Sequence, residues 1–257
     1  MKRTIAIAAM TLTAVSMAAS CKMIKFNSDK LGEKFLAPKV IISENQIPSM
    51  LTIDSLEFDA VELSGIFDVK YTPGPCQVRV AAAKEVIEVL EFSVKDKTLI
   101  VGTKVKRFNK TPDIDIWVSS PVLREVSALG AADFEAENVF GQGRFVLEVD
   151  GAGDIKIGNL TTDDDVYMEI NGAGDIDIDR LQTKSFAAEI NGAGDIDIDK
   201  LQAETFTAEV NGVGDVEVKG ACGKAEITIN GVGSVDIGKL ACPDVRSARN
   251  GVGRIIR

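Results

Sequence analysis

A five-residue unit recurs six times along the chain, first as Asp150-Gly-Ala-Gly-Asp154 and then with the same pattern opening at Asn171, Asn191, Asn211, Asn230 and Asn250. The intervals between openings are 21, 20, 20, 19 and 20 residues. Self-similarity at a fixed period marks a solenoid, in which each repeat is one supersecondary unit that buries its apolar face only against its neighbours.

Apolar and polar residues alternate on both sides of the unit, as in Phe186, Ala188, Ile190 before it and Ile196, Ile198 after it. The same positions are apolar in other copies, among them Phe145, Leu147, Val149 and Val166, Met168, Ile170 before the unit, and Ile176, Ile178 and Val216, Val218 after it. A period of two is the signature of strands with one buried face. A third apolar mark, at Leu160, Leu181, Leu201 and Leu240, follows the second strand where the chain must turn again. Two or three strands plus turns in about 20 residues make one coil of a parallel β-helix, with coils stacked at the ordinary strand spacing of roughly 4.8 Å.

Twelve of the 23 glycines fall in the six units, which places the sharp corners of the coil there. Stacking then predicts a side-chain ladder through Asn171, Asn191, Asn211 and Asn230. The fragment Gly-Ala-Gly-Asp-Ile-Asp also resembles part of the nine-residue calcium-binding repeat of secreted toxins, but tandem nonapeptides are absent and the period favours corners.

At the N-terminus, Lys2 and Arg3 precede an apolar run from Ile5 to Val15, and small residues lead up to Cys21. This reads as a secretory signal peptide over residues 1–20, with Cys21 as the lipid-bearing residue of a bacterial lipoprotein. Ala18 stands where such sites usually carry leucine, so ordinary cleavage near Ala19 is the competing reading. Residues 21–50 read as anchor and tether, residues 51–119 as a β-rich cap, and residues 120–257 as the repeat.

Within the cap segment the pattern predicts a strand pair broken at Gly65, a short helix over Ala81–Leu90, and a hairpin tip at Lys95-Asp-Lys-Thr98. Leu129-Gly-Ala-Ala-Asp133 is a degenerate copy of the unit, which puts the start of the coil near residue 120. The segment Leu63-Ser-Gly-Ile-Phe-Asp-Val69, with Thr98-Leu-Ile-Val101, the strand ending Pro121-Val-Leu123 and the serial Gly-Ala-Gly-Asp units, resembles the GIN-domain family of autotransporter adhesin heads over residues 51–257. The resemblance implies a right-handed single-stranded β-helix of the pectate lyase type, found in exported lipoproteins of Bacteroidetes-like bacteria. It carries over no catalytic residues.

The chain contains no histidine, which excludes Ser/His/Asp and Cys/His triads and His-ligated metals. Cys222 and Cys242 each fall eight residues before the next Asn-Gly, so they occupy one place on adjacent coils. Two readings stay open for them: a disulfide, or two small thiols packed in the stack.

Stacking turns repeated acids into columns. Glu148, Glu169, Glu189 and Glu209 share one position; Asp154, Asp175, Asp195 and Asp215 a second; Asp177, Asp197, Glu217 and Asp236 a third. Like charges some 5 Å apart repel by roughly 1 kcal/mol per pair in water. Three readings follow: solvated acids that keep the sheet soluble, a face that binds Ca²⁺, or a face for a macromolecular partner. The net charge of −10 disfavours nucleic acid.

Arg246, Arg249, Arg254 and Arg257 make the last coil basic, and Arg249 replaces Ile or Val of earlier copies; this end is a candidate for homo-oligomer contact. The expected protein is an exported, lipid-anchored envelope β-helix with an adhesin-like binding or structural role, a glycan or surface protein as its partner, and no chemistry. The alternative is a polysaccharide-processing protein working along the acidic face.

Overall fold

The computed structural model describes residues 39–43, 48–105 and 107–257. The signal peptide, Cys21 and most of the tether lie outside the described residues. Among the described residues no helix is long and apolar enough to cross a membrane.

The repeats form a β-solenoid of about seven turns with coils of about 20 residues. Each coil contributes a strand to two long parallel faces. On the first face Phe145, Val166, Phe186, Phe206 and Ala225 stand in register. On the second Ile155, Ile176, Ile196, Val216 and Val235 do the same. Leu160, Leu181 and Leu201 form the predicted third column and are buried. The alternation seen in the sequence is the alternation of burial along the strands that precede the glycine unit, as in Phe145–Val149 and Ser185–Ile190. Burial of each Ile, Val, Leu or Phe is worth about 1.5–3 kcal/mol, so a column of them holds a stack that no single coil could hold. Phe186 and Phe206 add an aromatic stack, with ring centroids 5.2 Å apart.

The one short interval in the sequence has a local solution. Between Ile198 and Leu201 the pairing with the next coil shifts, and Leu201 stands opposite Gly220 instead of a leucine. Gly220 has φ of +119° there, a conformation glycine reaches without steric penalty. The 19-residue coil thus keeps its other columns aligned.

The stack starts earlier than residue 120. Ala60–Ser64 pairs in parallel with Glu125–Ala128, and Ile66–Pro73 with Ala131–Phe140. Below that coil lies another, made of Thr98–Thr103 and Ile114–Ser120, again parallel. The order of coils therefore departs from the order of the chain, because the 98–120 coil slides in beneath the 60–73 coil. Repeat counting could not see these coils, since they lack the glycine unit.

Antiparallel strands close this end. Gln77–Ala82 pairs antiparallel with Ile114–Ser120 and with Ser49–Ile53, and Leu90–Lys95 with Thr98–Thr103. The hairpin between the last two turns through Asp96 and Lys97, with φ of +51° and +62°, where the chain reading put the tip; two positive φ angles match the twist of the strands they join.

The helix expected over Ala81–Leu90 shrinks to Lys84–Ile87. The alternation of Val78, Val80 and Ala82, all buried, wins the preceding residues for a strand with partners on both sides. The tether is also in part structured: Lys39–Val40 pairs with Arg107–Phe108, and Ser49–Ile53 joins the cap.

Candidate functional site

Strand register decides which side chains share a column. The acidic corner column predicted from Asp154, Asp175, Asp195 and Asp215 exists, and it reaches further back through Asp133, Asp68 and Asp115. Asp133 was visible as the end of the degenerate unit. Asp68 and Asp115 were not, because the inserted coil puts 115 below 68 against chain order.

The corner aspartates do structural work. The backbone N–H of Asp154 donates to Asp133 Oδ1 at 3.0 Å, that of Asp175 to Asp154 Oδ1 at 3.2 Å, and that of Asp195 to Asp175 Oδ1 at 2.9 Å. Asp215 N donates to Asp195 Oδ1 at 2.7 Å, and Ser234 closes the series on Asp215 Oδ1 through its N–H at 2.6 Å and its hydroxyl at 2.8 Å. Each carboxylate thus satisfies an amide of the coil above it, and this charge-assisted bond offsets the repulsion along the column.

Beside it runs the predicted asparagine ladder. Asn171 Nδ2 donates to Asp150 Oδ1 at 2.9 Å, and the same bond recurs from Asn191, Asn211, Asn230 and Asn250 to the asparagine below each, at 3.0, 3.0, 2.8 and 2.9 Å. The glycines between the two ladders have no room for a side chain: a Cβ on Gly192 would lie 2.1 Å from the Gly172 carbonyl oxygen.

Asp195 separates the two terms. Asp195→Asn keeps an Oδ1 acceptor and removes one charge, so Tm should hold or rise slightly. Asp195→Ala strands the Asp215 N–H and should cost about 1 kcal/mol in urea unfolding.

The column of Asp177, Asp197, Glu217 and Asp236 lies next to this corner on the second face. Towards the cap it continues through Lys156, Glu135 and Lys70, so its sign alternates there. A further column holds Asp179, Asp199 and Lys219, and Lys219 Nζ sits 2.7 Å from Asp199 and 3.0 Å from Glu217. These columns border a shallow groove of about 510 Å³, whose lining includes Glu135, Lys156, Gly158 and Asp177. A second groove of about 340 Å³, lined by Asp68, Asp115, Asp133 and Asp154, meets it at Glu135 and Lys156. Arg79 lies over the Trp117 ring, 5.4 Å from its centroid, on the same face beyond Lys70.

Partial burial, and then neighbouring acids, raise the carboxyls of Asp197 and Asp68 above their usual range. Asp177 is raised by burial too, with Lys156 opposing. Between the ordinary value of 3.8 and the raised folded values, the native state binds more protons than the unfolded chain. Stability therefore falls as pH climbs through that window. The double variant Asp177→Asn/Asp197→Asn should lose less Tm than the parent as pH climbs from the ordinary carboxyl value of 3.8.

On the first face the Glu148, Glu169, Glu189 and Glu209 column is in register. Tyr167 donates its hydroxyl to Glu189 at 2.7 Å, and Arg144 lies 5.3 Å from the Tyr167 ring centroid. Burial raises Glu148, with Asp150 and Glu169 adding to it. Among the described residues no three acidic or cysteine side chains gather as a metal-binding group; the columns spread carboxylates at coil spacing instead.

The basic end is exposed. Arg249 Nη1 donates to the Gly253 carbonyl at 2.8 Å, Arg257 Nη2 to Ser247 Oγ at 2.7 Å, and Arg246 lies 3.9 Å from Glu226 and Asp244. Cys76, Cys222 and Cys242 are free thiols in the structure.

A family model described as "Putative auto-transporter adhesin, head GIN domain" matches residues 57–176 and again 166–256. The chain belongs to the GIN-domain family. Solved structures with the fold of this GIN domain include one described as a putative adhesin from Bacteroides fragilis NCTC 9343, at 21% identity and a TM-score of 0.74, covering 84% of this chain and 98% of that one. A second, described as a putative adhesin from Parabacteroides merdae ATCC 43184, has 17% identity, a TM-score of 0.59 and the same coverage of 84% and 98%. A third, described as a putative lipid binding protein from Parabacteroides distasonis ATCC 8503, has 16% identity and a TM-score of 0.54, covering 85% of this chain and 98% of that one. No curated protein matches the sequence.

Proposed function

We propose that this GIN domain is a non-catalytic, adhesin-like binding protein of the cell envelope, exported by the N-terminal signal and anchored through lipid on Cys21. The second face, with its continuous groove, contacts an envelope glycan or a surface protein. The observation that carries this reading is the uniformity of the columns. Equivalent acids recur from coil to coil, and the corner aspartates are committed to backbone amides of the neighbouring coil. Catalysis instead calls for one asymmetric constellation whose members are driven apart in pKa. A linear ligand lying along the solenoid axis meets a charged group at each coil step of roughly 4.8 Å, carboxylates with Lys156 and Lys219 among them, which suits repetitive, multivalent recognition. Membership of a family described by adhesion supports the same reading.

The test is size-exclusion of the protein with neutral and acidic envelope polysaccharides, with and without Ca²⁺, followed by sizing of the glycan. Co-elution with the glycan unshortened is expected, weakened by charge reversal at Lys156 and Lys219. Glycan shortening would overturn the non-catalytic reading; failure to bind every glycan would remove the glycan arm and leave surface proteins.

A further inference from the structure

The final coil is the most exposed of the repeats. Its first-face strand Asp244–Arg249 places Val245, Ser247 and Arg249 opposite the buried Ala225, Ile227 and Ile229. Two of the three core columns thus end on polar residues, and the strand itself is mostly exposed. Beyond its backbone pairing, the Asn250 bond to Asn230 and the half-buried Val245 and Ile255, this coil has room for a further tie to the one before it.

One column offers such a tie. The position that follows Gln182, Gln202, Ala221 and Ala241 in the register is Thr183, Ala203, Cys222 and Cys242, and Thr162 precedes them. In the early coils the column fastens each turn to the one below: Thr162 Oγ1 donates to the Gly143 carbonyl, and Thr183 Oγ1 to the Asp164 carbonyl. At the last two coils the hydroxyls give way to two thiols on adjacent parallel strands. Cys222 is 6% exposed and belongs to the core, and Cys242 packs against that core from a half-buried position. Both side chains therefore face inward, with Cα atoms at the spacing of neighbouring strands, roughly 4.8 Å, inside the window a disulfide needs. As a thiol, Cys242 reaches the Asp244 carbonyl of its own coil, at 3.4 Å.

We propose that Cys222 and Cys242 join in a disulfide that staples the last coil to the stack, doing covalently what Thr162 and Thr183 do by hydrogen bonds. The oxidant is a disulfide-exchanging compound of the kind met by exported proteins. The half-buried Cys242 thiolate attacks the oxidant's disulfide, and one oxidant thiolate leaves. The Cys222 thiolate then attacks Cys242 Sγ and expels the second. Two protons and two electrons leave the protein, and the oxidant's disulfide is reduced to two thiols. Cys242 goes first because burial pushes the Cys222 thiol up to about 12, leaving little thiolate to start the exchange. Cys76, whose thiol turns to the Phe58 carbonyl at 3.6 Å, has no part in this.

The experiment treats the full chain with oxidised glutathione, alkylates remaining thiols under denaturing conditions, and digests with trypsin. Cleavage after Lys219, Lys224, Lys239 and Arg246 isolates Gly220–Lys224 and Leu240–Arg246 as separate peptides. The expected product is the two joined, lighter by two hydrogens than their sum, with Cys76 alkylated. Amides of 244–249 should then exchange about 10- to 100-fold more slowly in the oxidised protein than in the reduced one. Cys242→Ser should abolish that difference and leave amides of 145–149 unchanged in both states. Alkylation of both peptides after oxidation overturns the proposal, and so does a formed bond that leaves exchange in the last coil unaltered.

Discussion

Gly214→Ala should cost about 3 kcal/mol or more and remove the single cooperative unfolding transition in urea. The added Cβ would lie 1.8 Å from the Gly194 carbonyl oxygen and 2.9 Å from its carbonyl carbon. Those atoms are backbone, so no side chain can swing aside; the coils themselves must part. Parting them also strains the Asp215 N–H bond to Asp195 Oδ1, which is one residue away. Because each coil rests only on its neighbours, the damage should divide the stack into separately melting parts. Gly102→Ala is the control, since its nearest neighbour outside the adjacent residues would be the Ser64 carbonyl oxygen at 3.8 Å. Its Tm should stay within a few degrees of the parent. A Gly214→Ala protein with the parent's urea midpoint would show that the corner tolerates a side chain and that the glycines are there for another reason.

Phe186→Ala should be nearly as damaging, at about 3–5 kcal/mol in the same urea measurement. Its ring is fully buried and stacks on Phe206 with an interplanar angle of 15°. The void is bordered above and below by strands whose spacing is held by the ladder, so the site cannot collapse to refill it. Phe140→Ala makes the contrast: that ring is 51% exposed, and its loss should change stability by less than about 0.5 kcal/mol. Equal effects of the two changes would mean that burial along the column contributes little.

These two positions were legible from the chain for different reasons. Phe186 stood in a period-two pattern repeated at equivalent positions in neighbouring coils, which marks it as inward whatever the rest of the fold does. Gly214 stood in a unit that recurred at a fixed interval, so its corner role followed from stacking alone. The asparagine ladder was foreseeable on the same ground. The acidic corner was legible as a column, but its bonding was not: a sequence shows that Asp195 and Asp215 share a position, but not that the amide of one donates to the carboxylate of the other. The 81–90 segment misled in the opposite direction. Ala82, Val86, Val89 and Leu90 satisfy helical spacing, yet strand partners on both sides of Gln77–Ala82 outweigh that local preference.

Periodicity alone sets the length of the coil, the columns that form the core and the asparagine ladder, because in a parallel stack a residue's neighbours are its own counterparts one period away. Strand pairing in three dimensions supplies what no period encodes. The 98–120 coil lies beneath the 60–73 coil, antiparallel strands close that end, and the acidic corner thereby extends to Asp68 and Asp115. Those contacts join segments that differ in sequence and run against chain order. They are fixed by which strand edges remain open once the regular coils have paired, and alternation tells a strand which face to bury but never which strand will lie beside it.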